Sequence, residues 1–328
     1  GKWRNTPWEL KVSRKTLVQA LVVLVLAIIG GASSLFAQDS QSGLSGTLQV
    51  TVTARAKHGN GAAPALAAQD VTVHEDRNPR PVVSLVPLNR ADSPLQLAIL
   101  IDSDATTHLG AQFRDISQFV QALPPNATVA LAYALNGSAR IDQPFTTDRA
   151  AISKALHVTF GPAIGNTSIY ASLSDLIKHW PGGPDGREVF LVSDGIDSTY
   201  GLFDTQPYDN PGLQEAIRDA QKNHVVVFSI FVSSGLETRN QFLNLNGQGS
   251  LNELTSDTGG YAFTQGTQTP VSFHPFLNDL QTMLGQQYLL TFHSMPASKP
   301  GFHDLKVNTE MSGAKVLAPN RIYAPASQ

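Results

Sequence analysis

Cysteine is absent from all 328 residues. Its absence excludes disulfides, thiolate-held metals and a cysteine nucleophile, and leaves the cellular compartment to be read from other signals. Charge is scarce and nearly balanced. Lys and Arg total 23 against 26 Asp and Glu, a net of −3, so nothing draws the chain to nucleic acid. Nine His are scattered without an HxH or HExxH spacing, so no histidine-based metal centre is expected. There is no Gly-x-Ser-x-Gly elbow, and Ser193 reads as strand packing. Gly182-Gly183-Pro184-Asp185-Gly186 lacks the Lys-Ser/Thr of a phosphate loop and reads as a turn. No internal repeat or low-complexity tract is present. What the chain does have is a 41% hydrophobic content, enough to fill the core of a large domain with an accessory one beside it.

The N-terminus supplies the compartment. Lys2, Arg4, Lys11, Arg14 and Lys15 against Glu9 make the first fifteen residues +4, which leaves −7 for the rest. An apolar run over 17–29 follows, then small residues to Ala37. This order describes a secretory signal over 1–37. It places the remainder outside the cytoplasm: periplasmic, in the cell envelope or secreted. If the segment is not cleaved, 17–37 serves as a membrane anchor and is the chain's only membrane contact. Residues 38–45 form a polar linker.

From 38 to 92 the pattern is β-rich. Residues 48–54 alternate as a half-buried strand, and 71–76 and 80–88 read as two more around Asn78-Pro79. Between 93 and 286 strands and helices alternate. Strands are expected at 95–101, 127–133, 187–193 and 225–231, with an edge strand at 140–145 because Pro144 cannot donate to a ladder. Helices are expected from Phe113, Thr147-Asp148, Thr167 and Leu213, with a short one near Leu251 and a last one over 270–284. Trp180 reads as core. Residues 287–328 return to strands without helices. The two β segments are therefore expected to pair into one antiparallel module beside an α/β domain.

The run from Leu95 to Ile101 is apolar on both faces, as in a buried parallel strand, and it ends in Asp102-Ser103-Asp104-Ala105-Thr106. Ligands of parallel sheets gather beyond such strand ends. Oxygen donors at alternate positions suit a hard cation, Mg²⁺, Mn²⁺ or Ca²⁺. Two further loops carry oxygen donors: Gly165-Asn166-Thr167, and Asp194-Gly195 after the strand at 187–193. Asp197, Asp204 and Asp209 beyond it read as solvated turn residues.

This ordered set resembles the von Willebrand factor A domain with its metal-ion-dependent adhesion site. That pattern is Asp-x-Ser-x-Ser, a Thr in a Gly-x-Thr loop and a later Asp-Gly. Matched by position, the resemblance implies Asp102, Asp104, Thr106, Thr167 and Asp194 as metal ligands, and a Rossmann-like, doubly wound, mostly parallel sheet. Residues 254–263 are similar to the family's closing helix-to-strand turn. The flanking segments resemble exported bacterial, acidobacterial-type relatives.

The chain departs from the family at Asp104, where Ser is usual. A third carboxylate should hold the cation more firmly and dull its attraction for a partner's Glu or Asp. If Asp104 instead faces solvent or caps the following turn, the loops form a scaffold without metal. The resemblance thus implies an exported, non-enzymatic protein-binding module whose partner completes the metal shell with a carboxylate. The competing expectation is a structural or assembly subunit of an envelope complex. A metal-dependent hydrolase finds no general base with its own orienting partner, so no enzyme is expected.

Overall fold

The computed structural model describes residues 46–59, 61–159, 168–182, 186–199, 206–234, 241–296 and 299–326. The signal or anchor, the linker and the Gly165-Asn166-Thr167 loop lie outside the described residues, and so does Asp204. Among the described residues no helix is long and apolar enough to cross a membrane.

The chain opens with strands β1 (Thr47–Ala56), β2 (Val71–Glu75), β3 (Asn78–Arg80) and β4 (Val82–Pro87). The alternating section holds β5 (Gln96–Asp102), α1 (Ala111–Ala122), β6 (Thr128–Leu135), β7 (Ser138–Thr146), α2 (Arg149–Ala155), α3 (Ile169–Lys178) and β8 (Arg187–Ser193). It continues through α4 (Pro211–Lys222), β9 (Val225–Phe231), α5 (Gln241–Asp257), β10 (Ala262–Phe263) and α6 (His274–Leu284). The chain closes with β11 (Gln287–His293), β12 (Gly301–Thr309), β13 (Ala314–Leu317) and β14 (Arg321–Ala324).

β5 is the centre of a six-stranded sheet ordered β10-β9-β8-β5-β6-β7. Its neighbours β6 and β8 run parallel to it, and only β7, at the edge, is antiparallel. Counted within the domain, this is the order 3-2-1-4-5-6 of a doubly wound sheet. The sequence predicts such a sheet because β5 is apolar on both faces, and each face meets its own layer of helices. Leu97, Ile99 and Ile101 enter a core with α1, α2 and α6. Ala98 and Leu100 enter a second core with α3, α4 and α5. Leu97 and Ile99 to Ile101 are all fully buried. At about 1.5–3 kcal/mol for each large apolar side chain, this one strand anchors both layers.

Local chemistry sets the helix starts. Asp148 caps α2 by accepting from the Ala150 and Ala151 amides at 2.9 and 3.2 Å. Asn210 caps α4 through the Leu213 amide at 3.1 Å, with Pro211 in the first position. Ser168 rather than Thr167 caps α3, through the Ala171 amide at 3.1 Å. The short helix expected near Leu251 is the end of α5, which runs 17 residues through Gly247 and Gly249.

The flanking strands form the expected antiparallel module. β1 pairs with β13, β11 with β4, and β12 with β2, so both chain ends build each sheet. Between the sheets lies a third core that includes Val52, Val73, Leu290 and Ile322. The β2–β3 turn is Asp76-Arg77, both left-handed at φ 48° and 68°, and not Asn78-Pro79. The Asp76 carboxylate accepts from the Asp304 amide at 2.9 Å, which fixes the turn there. Pro79 falls on the edge strand β3, where a missing N–H is tolerated.

Two buried polar links tie the module to the α/β layer. Arg55 on β1 reaches Asp279 on α6 at 3.1 Å and stacks over the Tyr261 ring. Glu188 on β8 accepts from Gln287 on β11 at 2.8 Å and faces Arg90 at 3.9 Å. Burial pushes the Glu188 carboxyl up to about 7 against the opposing pull of Arg90 and Gln287.

Candidate functional site at the carboxyl ends of the central strands

In a doubly wound sheet the strand order reverses beside the first strand, and the loops there diverge to leave a crevice. Here that point lies between β5 and β8. Asp102 ends β5, and Asp194 follows β8 by one residue. Parallel pairing in register brings the two acidic ends together.

After β5 the chain winds into a 3-10 turn, Ser103–His108, and Asp102 caps it by accepting from the Asp104 amide at 3.2 Å. The capping carboxylate is thus Asp102 and not Asp104, which is half-buried. Thr106 is fully buried. Its hydroxyl lies 2.8 Å from the Ser103 carbonyl oxygen and 2.7 Å from the Thr159 hydroxyl, and it accepts from the Thr159 amide at 3.1 Å. Thr106 therefore ties the turn to the segment after α2. Thr167 lies outside the described residues.

Asp194 is buried, accepts from the Ile196 amide at 2.8 Å, and accepts from the Ser234 hydroxyl after β9. Ser193 is more than packing. Its hydroxyl donates to Asp102 at 2.8 Å and accepts from the Gly195 amide at 3.0 Å, so it joins the two strand ends. Asp197 is not a solvated turn residue. It is 5% exposed and accepts from Ser168 at 3.0 Å and from the Thr199 amide at 2.9 Å. Because Ser168 also caps α3, Asp197 couples the Asp194 loop to the helix that follows Thr167. Asp209 is exposed, as the sequence implies. Trp180 is half-buried, tilted against Phe145 at 5.0 Å.

Backbone packing sets the position of the Asp194 loop. Gly195 has φ +72°, and its missing side chain lets the loop lie directly on α5 at Gly247. The Tyr170 hydroxyl donates to the Gly195 carbonyl oxygen at 2.7 Å from below.

The electrostatics are those of concentrated negative charge. Burial pushes the Asp102 carboxyl up to about 6; the neighbouring Asp104 adds to this, while Ser193 and the Asp104 amide oppose it. No basic group among the described residues contributes. Burial also holds the Tyr170 phenol well above its ordinary range, with Asp197, Asp194 and Asp102 adding to the effect. Among the described residues no three His, Asp or Glu side chains converge as a metal-holding group. The donors that do converge are oxygens of carboxylates and hydroxyls, a set whose chemistry fits a hard cation, and Asp102 is a buried carboxylate that such a charge would stabilise.

No protein-family model matches the sequence, and no curated protein matches it. Several solved structures are similar to it. One is an aerotolerance-related membrane protein from Bacteroides fragilis NCTC 9343, 16% identical with a TM-score of 0.41, covering 58% of this chain and 97% of that one. Another is proximal thread matrix protein 1 from the mussel byssus with a zinc-occupied MIDAS motif, 16% identical with a TM-score of 0.40. That match covers 58% of this chain and 47% of the byssus protein, so the chain spans about half its length. A third is the SpRpn10 VWA domain, 14% identical with a TM-score of 0.36, covering 56% of this chain and 93% of that one. Such distant likenesses carry no function across, and the assignment rests on strand order and on which strand ends are acidic. On those grounds the layer from β5 to α6 has a Rossmann-like, doubly wound fold with acidic strand ends at its crevice, an arrangement that resembles the von Willebrand A domain.

Proposed function

We propose that the chain is an exported protein-binding module that presents a divalent cation, Mg²⁺, Ca²⁺ or Mn²⁺, at the crevice between β5 and β8. The observation that carries this reading is Asp102, a buried carboxylate beside Asp104 with no basic group among the described residues acting on it. Asp102, Asp104 and Asp194 would supply charged oxygens, and Thr106 and Thr167 neutral ones. A bound cation would supply an electrophilic point for a partner's Glu or Asp. The chain's own part is to fix the strand ends: Ser193 orients Asp102, and Ser234 and the Ile196 amide orient Asp194. The module is read as non-enzymatic, because among the described residues no His or independently oriented base accompanies the carboxylates. Export rests on the basic and apolar N-terminus, which also supports a place in the cell envelope.

A second reading has its own observation. The Thr106 hydroxyl is engaged by Ser103 and Thr159, and Asp102 and Asp194 each already accept two hydrogen bonds. A site so well satisfied also suits a metal-free assembly subunit. Calorimetric titration of Mg²⁺ and Ca²⁺ into the wild type, Asp102→Ala and Thr167→Ala separates the two. Saturable binding that both substitutions abolish supports the cation site. The absence of binding by the folded wild type leaves the scaffold reading.

A further inference from the structure

The outer face of the β module carries a cleft of about 400 Å³ lined by His74, Arg77, Asp304, Lys306 and Asn308. Strand alternation puts them there. Val73 on β2 and Val307 on β12 enter the third core, so His74, Lys306 and Asn308 point the other way. His74 and Lys306 lie directly opposite each other in the β2–β12 register. Arg77 joins them from the β2–β3 turn.

Charge in this cleft is one-sided. The Asp304 carboxylate is matched by Arg321 at 3.6 Å. The nearby acids are engaged as well: Asp76 meets His303 at 2.8 Å, and the buried Glu75 meets Arg80 at 3.4 Å. Among the described residues His74, Arg77 and Lys306 are left without a carboxylate partner. A chain that is net −7 beyond its first fifteen residues does not gather basic groups by composition alone.

Arg77 is also held against local preference. A two-residue hairpin turn with both φ positive favours glycine at its second position, yet Arg77 stands there at φ 68°. Residues held in such conformations cluster at ligand sites, where the contacts of the side chain outweigh the strain. Arg77 brings a planar fork of N–H donors, Lys306 an ammonium and His74 a ring N–H. Donors on three separate side chains match an anion with more than two oxygens and more than one charge. A phosphate group meets this description, whereas a carboxylate leaves a donor unmet. The cleft is larger than a phosphate and leaves room for a group attached to it.

We propose that this cleft is an oxyanion site that takes a phosphate group, with Arg77 and Lys306 as charged donors and His74 as the third. The inference is independent of the cation reading, since none of these residues is a candidate metal ligand.

The test is a phosphorus-detected NMR titration of the full chain, dialysed free of divalent cations, with inorganic phosphate and with glycerol phosphate at constant ionic strength. Saturable binding is expected, displaced by acetate only at about tenfold higher concentration or more. Arg77→Gly and Lys306→Gln should each weaken binding about tenfold or more. Lys154→Gln, at an exposed lysine of α2 outside the cleft, should leave it unchanged. Arg77→Gly should also raise the midpoint of urea unfolding, because glycine relaxes the left-handed turn, so its loss of binding cannot be a loss of folding. No saturable binding by the folded wild type, affinity unchanged in Arg77→Gly, acetate as effective as phosphate, or an equal loss in Lys154→Gln would overturn the proposal. Tighter binding of glycerol phosphate assigns the cleft to a phosphate ester, and inorganic phosphate binding as tightly or more so assigns it to the free anion; both uphold the site.

Discussion

Gly247 offers a test of how the acidic site is held in place. A Cβ at this position would overlap the Asp194 carbonyl oxygen, closer than the 3.0 Å below which such contacts do not occur, and would press on Ile196 at 3.3 Å. The neighbour is backbone, so no rotamer change relieves it. Either α5 or the Asp194 loop must move. Two effects of Gly247→Ala oppose each other. Replacing glycine inside a helix stabilises by about 0.5–1 kcal/mol. Overpacking against a rigid neighbour destabilises by about 1–3 kcal/mol, and a backbone contact belongs at the upper end. The expected net loss is about 2 kcal/mol. Gly249→Ala is the internal control. It brings the same helix gain, and its Cβ would meet only the Pro207 ring at 3.2 Å, so it should be neutral or mildly stabilising. Urea unfolding of both variants reads the difference. Cation titration of Gly247→Ala should also show weakened binding, although Gly247 itself donates no ligand atom. Equal stability of the two variants would refute the close packing of α5 on the Asp194 loop.

Glu188 predicts a pH dependence. Folded, its carboxyl titrates near 7 instead of its ordinary 4.5, so the folded state binds the extra proton between those values. The stability it contributes is full below pH 4.5 and is lost as pH rises through 7. A shift of this size corresponds to about 3 kcal/mol, of which roughly 2–3 kcal/mol falls between pH 5 and 8. Glu188→Gln should therefore gain that much relative to wild type across the interval in urea unfolding; a difference independent of pH would contradict the burial of Glu188. Ser193→Ala removes the partner of both Asp102 and the Gly195 amide, and should cost about 2 kcal/mol of stability. Unchanged unfolding would mean that Ser193 is only packing.

Periodicity and strand-end chemistry were legible without the fold. A run apolar on both faces can be satisfied only between two layers, so β5 announces a covered parallel sheet from its own residues. The acids after β5 and β8, and the caps Asp148 and Asn210, are likewise local signals, because each acts within a few residues of its position. The absence of helix-period segments at both ends pointed to the antiparallel module in the same way. Other features depend on residues that meet only after folding. Ser193 finds Asp102 from 91 residues away, Ser234 finds Asp194 from 40, and Ser168 finds Asp197 from 29. In sequence each is an ordinary polar residue of a strand end or loop. Gly247 looks like a helix breaker until the Asp194 backbone is placed against it, and only then does the length of α5 make sense. Asp76-Arg77 becomes the turn because Asp304, on the distant strand β12, donates its amide to Asp76. Local propensity and pattern therefore determined the elements and the acidic strand ends. Long-range contact decided which hydroxyls orient the carboxylates, because a hydrogen bond depends on where two groups lie in space and not on how far apart they lie along the chain.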